Sequence, residues 1–500
     1  MKRLLCLLMA LCCLAPGVAL AQETDMHFNW YEVFVYSYQD SNGDGVGDLP
    51  GLLSRLDYIS GLGYNGLWLM PVMPSPSYHK YDVTDYRAVD PQYGTLEDMR
   101  ALVEACHERD MRIIIDLPVN HTSTGHPWFA AACEALRKGD EGCPYVDYYC
   151  FSHENGSKMV PVSGTDWYYE EQFSGGNMPD LNLASPVVQE EIRAIMAFWL
   201  QEVGVDGFRL DAVTSYFASD TAQNIAFLSW LKQTAEALRP GSYLVGEVWS
   251  GLNAIAEYYQ SGVDSFFLFP VSQAEGYIAA ALRSRKPAAA YVQAIDKLEQ
   301  AIPEGVWAPF LSNHDTGRTI GSLQARQAPE KAKFAEGLLG MLGGNAFTYY
   351  GEEIGMVGSG DDPNKRLPMY WNDTDMTALP PGVTKVEYAY PCADAQLEDS
   401  ASLLNYCRAV NLARLQTPAI ARGKNETVFS NELTCLLRRT LGEDACYIAI
   451  NCSSKSAQTV TLPEAGLSIV SDLETGADAA TLSGTELTLP PYAIVILSAD

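Results

Sequence analysis

Short apolar runs alternate with longer stretches of helical period from Trp30 to about Gly355. Eight of the runs read as strands: WYEVFVYSY, GYNGLWLMP, RIIIDLP, GFRLDAV, YLVGEVW, SFFLFP, VWAPFLS and NAFTYYG. Strands apolar on both faces, with helical stretches between them, predict parallel pairing, and eight of them predict a closed (β/α)8 TIM barrel, fold class α/β. An open doubly wound sheet is the competing arrangement. It fits less well, because no Gly-rich phosphate loop follows the first strand.

Four of the runs lead into an acid: Asp116 in RIIIDLPVNH, Asp211 in VDGFRLDAV, Glu247 in YLVGEVW and Asp315 in WAPFLSNHD. A carboxylate at the end of a buried strand costs stability unless it is paired or hydrogen-bonded, so four of them predict strand ends converging on one polar pocket. In a barrel those ends meet on one face.

The alternation is interrupted twice. Residues 122–184, rich in Gly, Tyr and Cys, are too long for an ordinary strand-to-helix connection and predict a small domain inserted after the third strand. From 417 to 500 the helical period gives way to runs such as CYIAIN, TVTLP, LSIV and PYAIVIL, which predict a C-terminal antiparallel β-sandwich domain. The barrel then occupies 22–121 and 185–416.

The first 21 residues carry Lys2 and Arg3, an apolar run and the exit Ala19-Leu20-Ala21, the pattern of a cleaved secretory signal peptide. A membrane anchor is the other reading of that run, but it is short and lacks a stop-transfer pattern. Secretion, with no membrane attachment after cleavage near Ala21, is therefore expected. With 62 acidic against 33 basic residues and a net charge of -29, the chain is expected to repel nucleic acid and anionic membranes while leaving a neutral substrate or a calcium ion welcome. A monomer is expected. Of 12 cysteines, Cys6, Cys12 and Cys13 leave with the leader, and an odd number remains. Cys133/Cys143 and Cys435/Cys446 are the close pairs that export would permit to join.

The segments DLPVNH, GFRLDAV, GEVW and FLSNHD, in this order and spacing, resemble the signature segments of the α-amylase family of glycoside hydrolases (family 13). The likeness extends through GYNGLWLMP, YDVTDYRAVDPQYGT, MPDLN, YYGEEIGM and RLPMYW, so it spans nearly the whole chain after the leader. MPDLN resembles the group between oligo-1,6-glucosidases and neopullulanases.

The resemblance implies a retaining mechanism on two carboxyl groups flanking the scissile bond. Asp211 would attack to form a glycosyl-enzyme, Glu247 would protonate the leaving oxygen and later activate water, and Asp315 would grip sugar hydroxyls. Arg209, two residues before Asp211 on the same strand face, would keep the nucleophile ionised. A structural Arg-Asp pair is the plainer reading of GFRLDAV taken alone. His121 and His314 would donate to other hydroxyls of the same sugar, and Tyr81, in YHKYDVTDY, would stack on it; core or surface roles are their ordinary alternatives. Asp116 is expected to support the site rather than react.

The loop DSNGDGVGD offers Asp40, Asn42, Asp44 and Asp48 with the Val46 carbonyl as hard oxygen ligands, suited to structural calcium. It lacks the closing glutamate of an EF-hand, Gly51 standing there, and resembles the calcium loop of the oligo-1,6-glucosidase and neopullulanase side of the family. A plain Asp/Gly turn is the alternative. Many relatives follow the nucleophile segment with Lys-His where this chain has Thr214-Ser215, which puts a second calcium near Asn120 in question. Ala212 resembles enzymes acting on α-1,4 bonds. The expected activity is therefore endo-acting α-amylase on α-1,4-glucan, with α-glucosidase, cyclomaltodextrinase, neopullulanase or transglycosylase as runner-up. A non-catalytic carbohydrate-binding homologue is a third reading, disfavoured because all three acids are present.

Overall fold

A computed structural model describes residues 25–499 except 174, 219 and 477. The leader at 1–21 and its cleavage lie outside the described residues. Seven parallel strands form one curled sheet, in the order Ala346–Tyr349, Asn29–Val33, Gly66–Leu69, Arg112–Leu117, Gly207–Leu210, Tyr243–Gly246 and Ser265–Phe266. Parallel bridges from Phe267 to Ala308 and from Phe310 to Phe347 supply the eighth position and close the ring. All eight sequence-derived strands thus take part in a TIM barrel.

Inward side chains fill its interior. Trp30, Trp68, Ile114, Tyr243, Val245, Phe267, Phe310 and Phe347 form one buried cluster, so the lumen is packed core rather than a pore. Gly66 is required there, because a Cβ on it would meet Trp30 Cδ2 at 2.5 Å. The outward face packs under helices that include Leu96–His107, Thr221–Leu238, Pro287–Ala301 and Pro329–Gly340.

Residues 122–184 hold the helix Pro127–Arg137 and a small antiparallel sheet of Phe151–Ser152, Tyr168–Glu170 and Met159–Pro161. A bridge between His121 and Asp180 ties this segment to the end of the third barrel strand. After Gly423 the chain forms a five-stranded and a three-stranded antiparallel sheet. Alternation explains how they stack: Leu437, Ile448, Ile450 and Ile496 join the barrel-side core, while Leu436, Tyr447, Ala449 and Leu497 face the smaller sheet.

The cysteine pairs do not form. All nine cysteines from Cys106 to Cys452 are free thiols. Cys435 faces Ile450 and Cys446 faces Arg439 in the ladder, a separation of four residues or roughly 14 Å along the strands, beyond the reach of a disulfide. Cys133 is buried in its helix, whereas Cys143 lies half-exposed past the helix end. Among the described residues no helix is long and apolar enough to cross a membrane.

Candidate active site

Register and pleat bring the polar strand ends together. Asp116 pairs with Arg209 across the third and fourth strands, and Arg209 with Val245 across the fourth and fifth. Asp211 and Glu247 each follow by two residues, so all four polar side chains project from one side of adjacent strands.

Arg209 is the hub. Its Nη1 lies 2.7 Å from Asp116 Oδ1 and 2.5 Å from Asp211 Oδ1, and its Nη2 lies 2.9 Å from Glu247 Oε2. The Nη2 contact is an ion pair without the angle of a hydrogen bond. The Ala212 N–H also donates to Glu247 Oε2, at 3.0 Å. One guanidinium therefore holds three carboxyls within the span of its own fork. Burial pushes Glu247 up to about 7 against the pull of Arg209, with the charge of Asp211 adding to the rise. Burial likewise raises Asp116 to about 6.

A second group stands opposite. His314 Nδ1 lies 2.5 Å from Glu32 Oε1, and its Nε2 lies 3.0 Å from Asp315 Oδ2 and 2.7 Å from the Tyr81 hydroxyl. Arg366 Nη2 takes the other oxygen, Asp315 Oδ1, at 2.8 Å. Burial opposes the charge of His314, but Asp315 and Glu32 outweigh it and raise the imidazole to about 9. Burial opposes the charge of Asp315 too, and His314 and Arg366 overcome it, leaving that carboxyl well below its usual range.

Between the two groups is a cavity of about 200 Å³ lined by His79, Tyr81, His121, Phe173, Met178, Asp211, Asp315, Asp362 and Arg366. That is small beside typical ligand pockets of ~300–1,000 Å³. A larger hollow of about 480 Å³ lies at the opposite end of the barrel around Asn29, Arg112 and Arg414. Asp211 and Asp315 line the smaller one, and Glu247 reaches it through the Arg209 fork it shares with Asp211. His121 Nε2 is buried there without a partner, and burial holds the imidazole below its ordinary range. Trp249, two residues past Glu247, is 52% exposed with one face stacked on Phe269.

The structure brings together Asp211, Glu247, Asp315, Tyr81, His121, Arg209 and His314, and adds Glu32, Arg366 and Phe173. Glu32 carried the same signal as the four acids, a carboxylate in an apolar run, WYEVF. Arg366 sits in RLPMYW, but nothing local tied it to Asp315.

Asp40, Asn42, Asp44 and Val46 line the surface loop after the first strand. Asp40 accepts the N–H groups of Asn42, Gly43 and Gly45, and Asp44 accepts that of Val46. Asp48 is set apart: it caps the helix Leu49–Ser54 through Gly51 N and holds Ser41 with its other oxygen. Among the described residues no three acid, histidine or cysteine side chains gather as a metal cluster. A cation at this loop would depend on mixed carboxylate, amide and carbonyl oxygens, which calcium accepts. Asn120 donates to Asp180 at 3.0 Å rather than standing free.

Buried acids gathered at the carboxyl ends of barrel strands, beside a small cavity with acid, histidine and aromatic walls, are the features of a barrel hydrolase site. The chain belongs to the α-amylase family of glycoside hydrolases and transglycosylases: the family model described as the α-amylase catalytic domain matches residues 32–423. It is 36% identical over 437 residues to "Alpha-amylase 3" of Dictyoglomus thermophilum, covering 84% of each chain. It is 32% identical over 513 residues to "Trehalose synthase/amylase TreS" of Mycobacterium tuberculosis, covering 87% of this chain and 83% of that protein. Among solved structures, "Eubacterium rectale Amy13B" matches with a TM-score of 0.91 and 41% identity over 95% of this chain and 96% of that one.

Proposed function

We propose that this chain is a secreted α-amylase that hydrolyses α-1,4 bonds of starch, glycogen and maltooligosaccharides with retention. The observation that carries the reading is the Arg209 fork between Asp211 and Glu247. Asp211 Oδ1 is taken by Arg209, which leaves Oδ2 to attack the anomeric carbon. Glu247 receives both Arg209 and the Ala212 N–H on Oε2, which leaves Oε1 to carry the proton toward the glycosidic oxygen. Once the leaving sugar departs, the same carboxylate draws a proton from water, whose oxygen attacks the anomeric carbon and breaks its bond to Asp211, freeing the sugar and restoring both acids.

Asp315 is held at both oxygens and presents a fixed anion to sugar hydroxyls, where charge develops on the oxocarbenium-like ring. His121 Nε2 and the Tyr81 ring complete the grip. Calcium, when bound, would brace the loop of Asp40, Asn42, Asp44, Val46 and Asp48 after the first strand; no chemical step passes through it. The relatives named as amylase favour hydrolysis, and the trehalose synthase/amylase relative supports a second reading as a glucosyl-transferring enzyme on the same acids.

Product analysis on amylose, pullulan, maltotriose and isomaltose tests this. Mid-chain cleavage of amylose supports the amylase reading, and glucose release from short sugars alone, or isomerised disaccharide, replaces it. Glu247→Gln should cut reducing-end release by about 10²–10⁴-fold, and an unchanged rate removes Glu247 as the proton donor.

A further inference from the structure

One wall of the sugar cavity is not made by the barrel. Phe173 and Met178 belong to the inserted segment, and they line the cavity together with Asp211 and Asp315. Phe173 is 40% exposed and sets its ring edge-on to His121, with centroids 5.2 Å apart. Both residues follow Glu171 in an irregular stretch, so their place in the wall depends on where that stretch is fixed.

That fixed point is Glu171. Its side chain is buried, 4% exposed, and its carboxylate accepts three consecutive backbone N–H groups: Asn177 at 2.9 Å and Met178 at 3.0 Å on Oε1, and Gly176 at 2.8 Å on Oε2. Three successive amides can aim at one anion only if the chain curls around it, and Gly176 permits the curl with a φ of +76°. The carbonyls of the same turn are held from the other side, by the Tyr169 hydroxyl on Gly176 at 3.1 Å and by the N–H of Thr124 on Asn177 at 3.0 Å. A buried carboxylate is costly unless its charge is met by donors, and here those donors are the turn itself.

We propose that Glu171 is a positioning residue that holds Phe173 and Met178 as the apolar wall against which the glucosyl ring is seated beside Asp211. The wall contacts the ring face and the barrel acids do the chemistry, so the anchor governs substrate retention more than the bond-breaking step. The inference rests on the glucan reading of the site.

Steady-state kinetics on maltopentaose tests it with three variants. Glu171→Leu fills the space but offers no acceptor, and should raise KM about tenfold while kcat stays within about twofold. Glu171→Gln keeps a carbonyl oxygen for Asn177 and Met178 and places an amide donor against Gly176 N–H, so its KM should fall between the parent and the leucine variant. Phe173→Ala alters an exposed ring without touching the anchor, and should raise KM in a protein of unchanged thermal stability, which keeps the test open if the leucine variant does not fold. An unchanged KM in Phe173→Ala and Glu171→Gln, or a loss confined to kcat, overturns the proposal. A parent inactive on both maltopentaose and amylose overturns instead the glucan reading beneath it.

Discussion

Arg209 and Glu247 meet at Nη2 and Oε2, 2.9 Å apart, on neighbouring strands of the barrel. The same guanidinium reaches Asp211 and Asp116 through its other nitrogen, so three buried carboxyls share one cation. A planar fork can do this; an ammonium point charge cannot. The arrangement keeps Glu247 beside Asp211 without letting the two acids repel each other apart.

Arg209→Lys should therefore lower kcat/KM on soluble starch by about 100-fold or more, because one ammonium cannot face both reacting carboxyls in the required geometry. Reducing-end assays at fixed pH, run beside a thermal melt, check this. Full activity in a folded lysine variant would mean that the fork does not organise the site.

The alkaline side of the rate profile should belong to Glu247. Burial raises it to about 7, and it must be protonated to donate, so kcat/KM should fall by about tenfold per unit as pH climbs beyond that value. Glu247→Asp, with a shorter reach toward Arg209 and Ala212 N–H, should shift that limb as well as lower its height. A profile flat from neutral pH to well above it would assign the proton to another group.

Glu32 should act through His314. Its carboxyl is one of two that keep the imidazole protonated, up to about 9. A raised imidazole stabilises the fold fully below its unfolded value near ~6.5, and that contribution is lost as pH rises through about 9. With Glu32→Gln the second imidazole proton is lost at lower pH, and Asp315 Oδ2, 3.0 Å from Nε2, then faces a neutral N–H in place of a cation. KM for maltooligosaccharides should rise in this variant at mildly alkaline pH where the parent remains flat. Superimposable KM profiles would show that Glu32 has no such influence.

Calcium at the loop after the first strand should be structural. Chelation should lower Tm by several degrees and initial activity much less, and Asp44→Ala should start from the lower Tm with no further response to chelator. A melting temperature indifferent to both removes calcium from that loop and leaves an Asp/Gly turn held by its own amides.

Most of the barrel was legible because its strands are apolar on both faces, a pattern that survives without knowledge of neighbours. Asp116, Asp211, Glu247 and Asp315 stood out for the same reason, each a charge where burial forbids one unaccompanied. Glu32 obeyed that rule and was passed over, because its run continues apolar beyond it and reads as an uninterrupted strand. Arg366 gave no signal, since its partner lies 51 residues away and the two meet only where the barrel closes.

The cysteines show the opposite failure. Closeness in sequence favoured Cys435 with Cys446, but an antiparallel hairpin pairs residues by distance from its turn, and that register separates them.

The order of apolar and polar residues by itself determined the eight strands, the inserted segment, the terminal β domain and the acids at the strand ends, because burial and side-chain period are local properties of a chain. Only the tertiary structure decided which of those acids share a cation, which imidazole lies between two carboxylates, and that a glutamate of the inserted segment gathers the amides of the turn beside the cavity. Those are matters of distances of a few ångströms between residues remote in sequence, set by parallel register and by the closing of the ring.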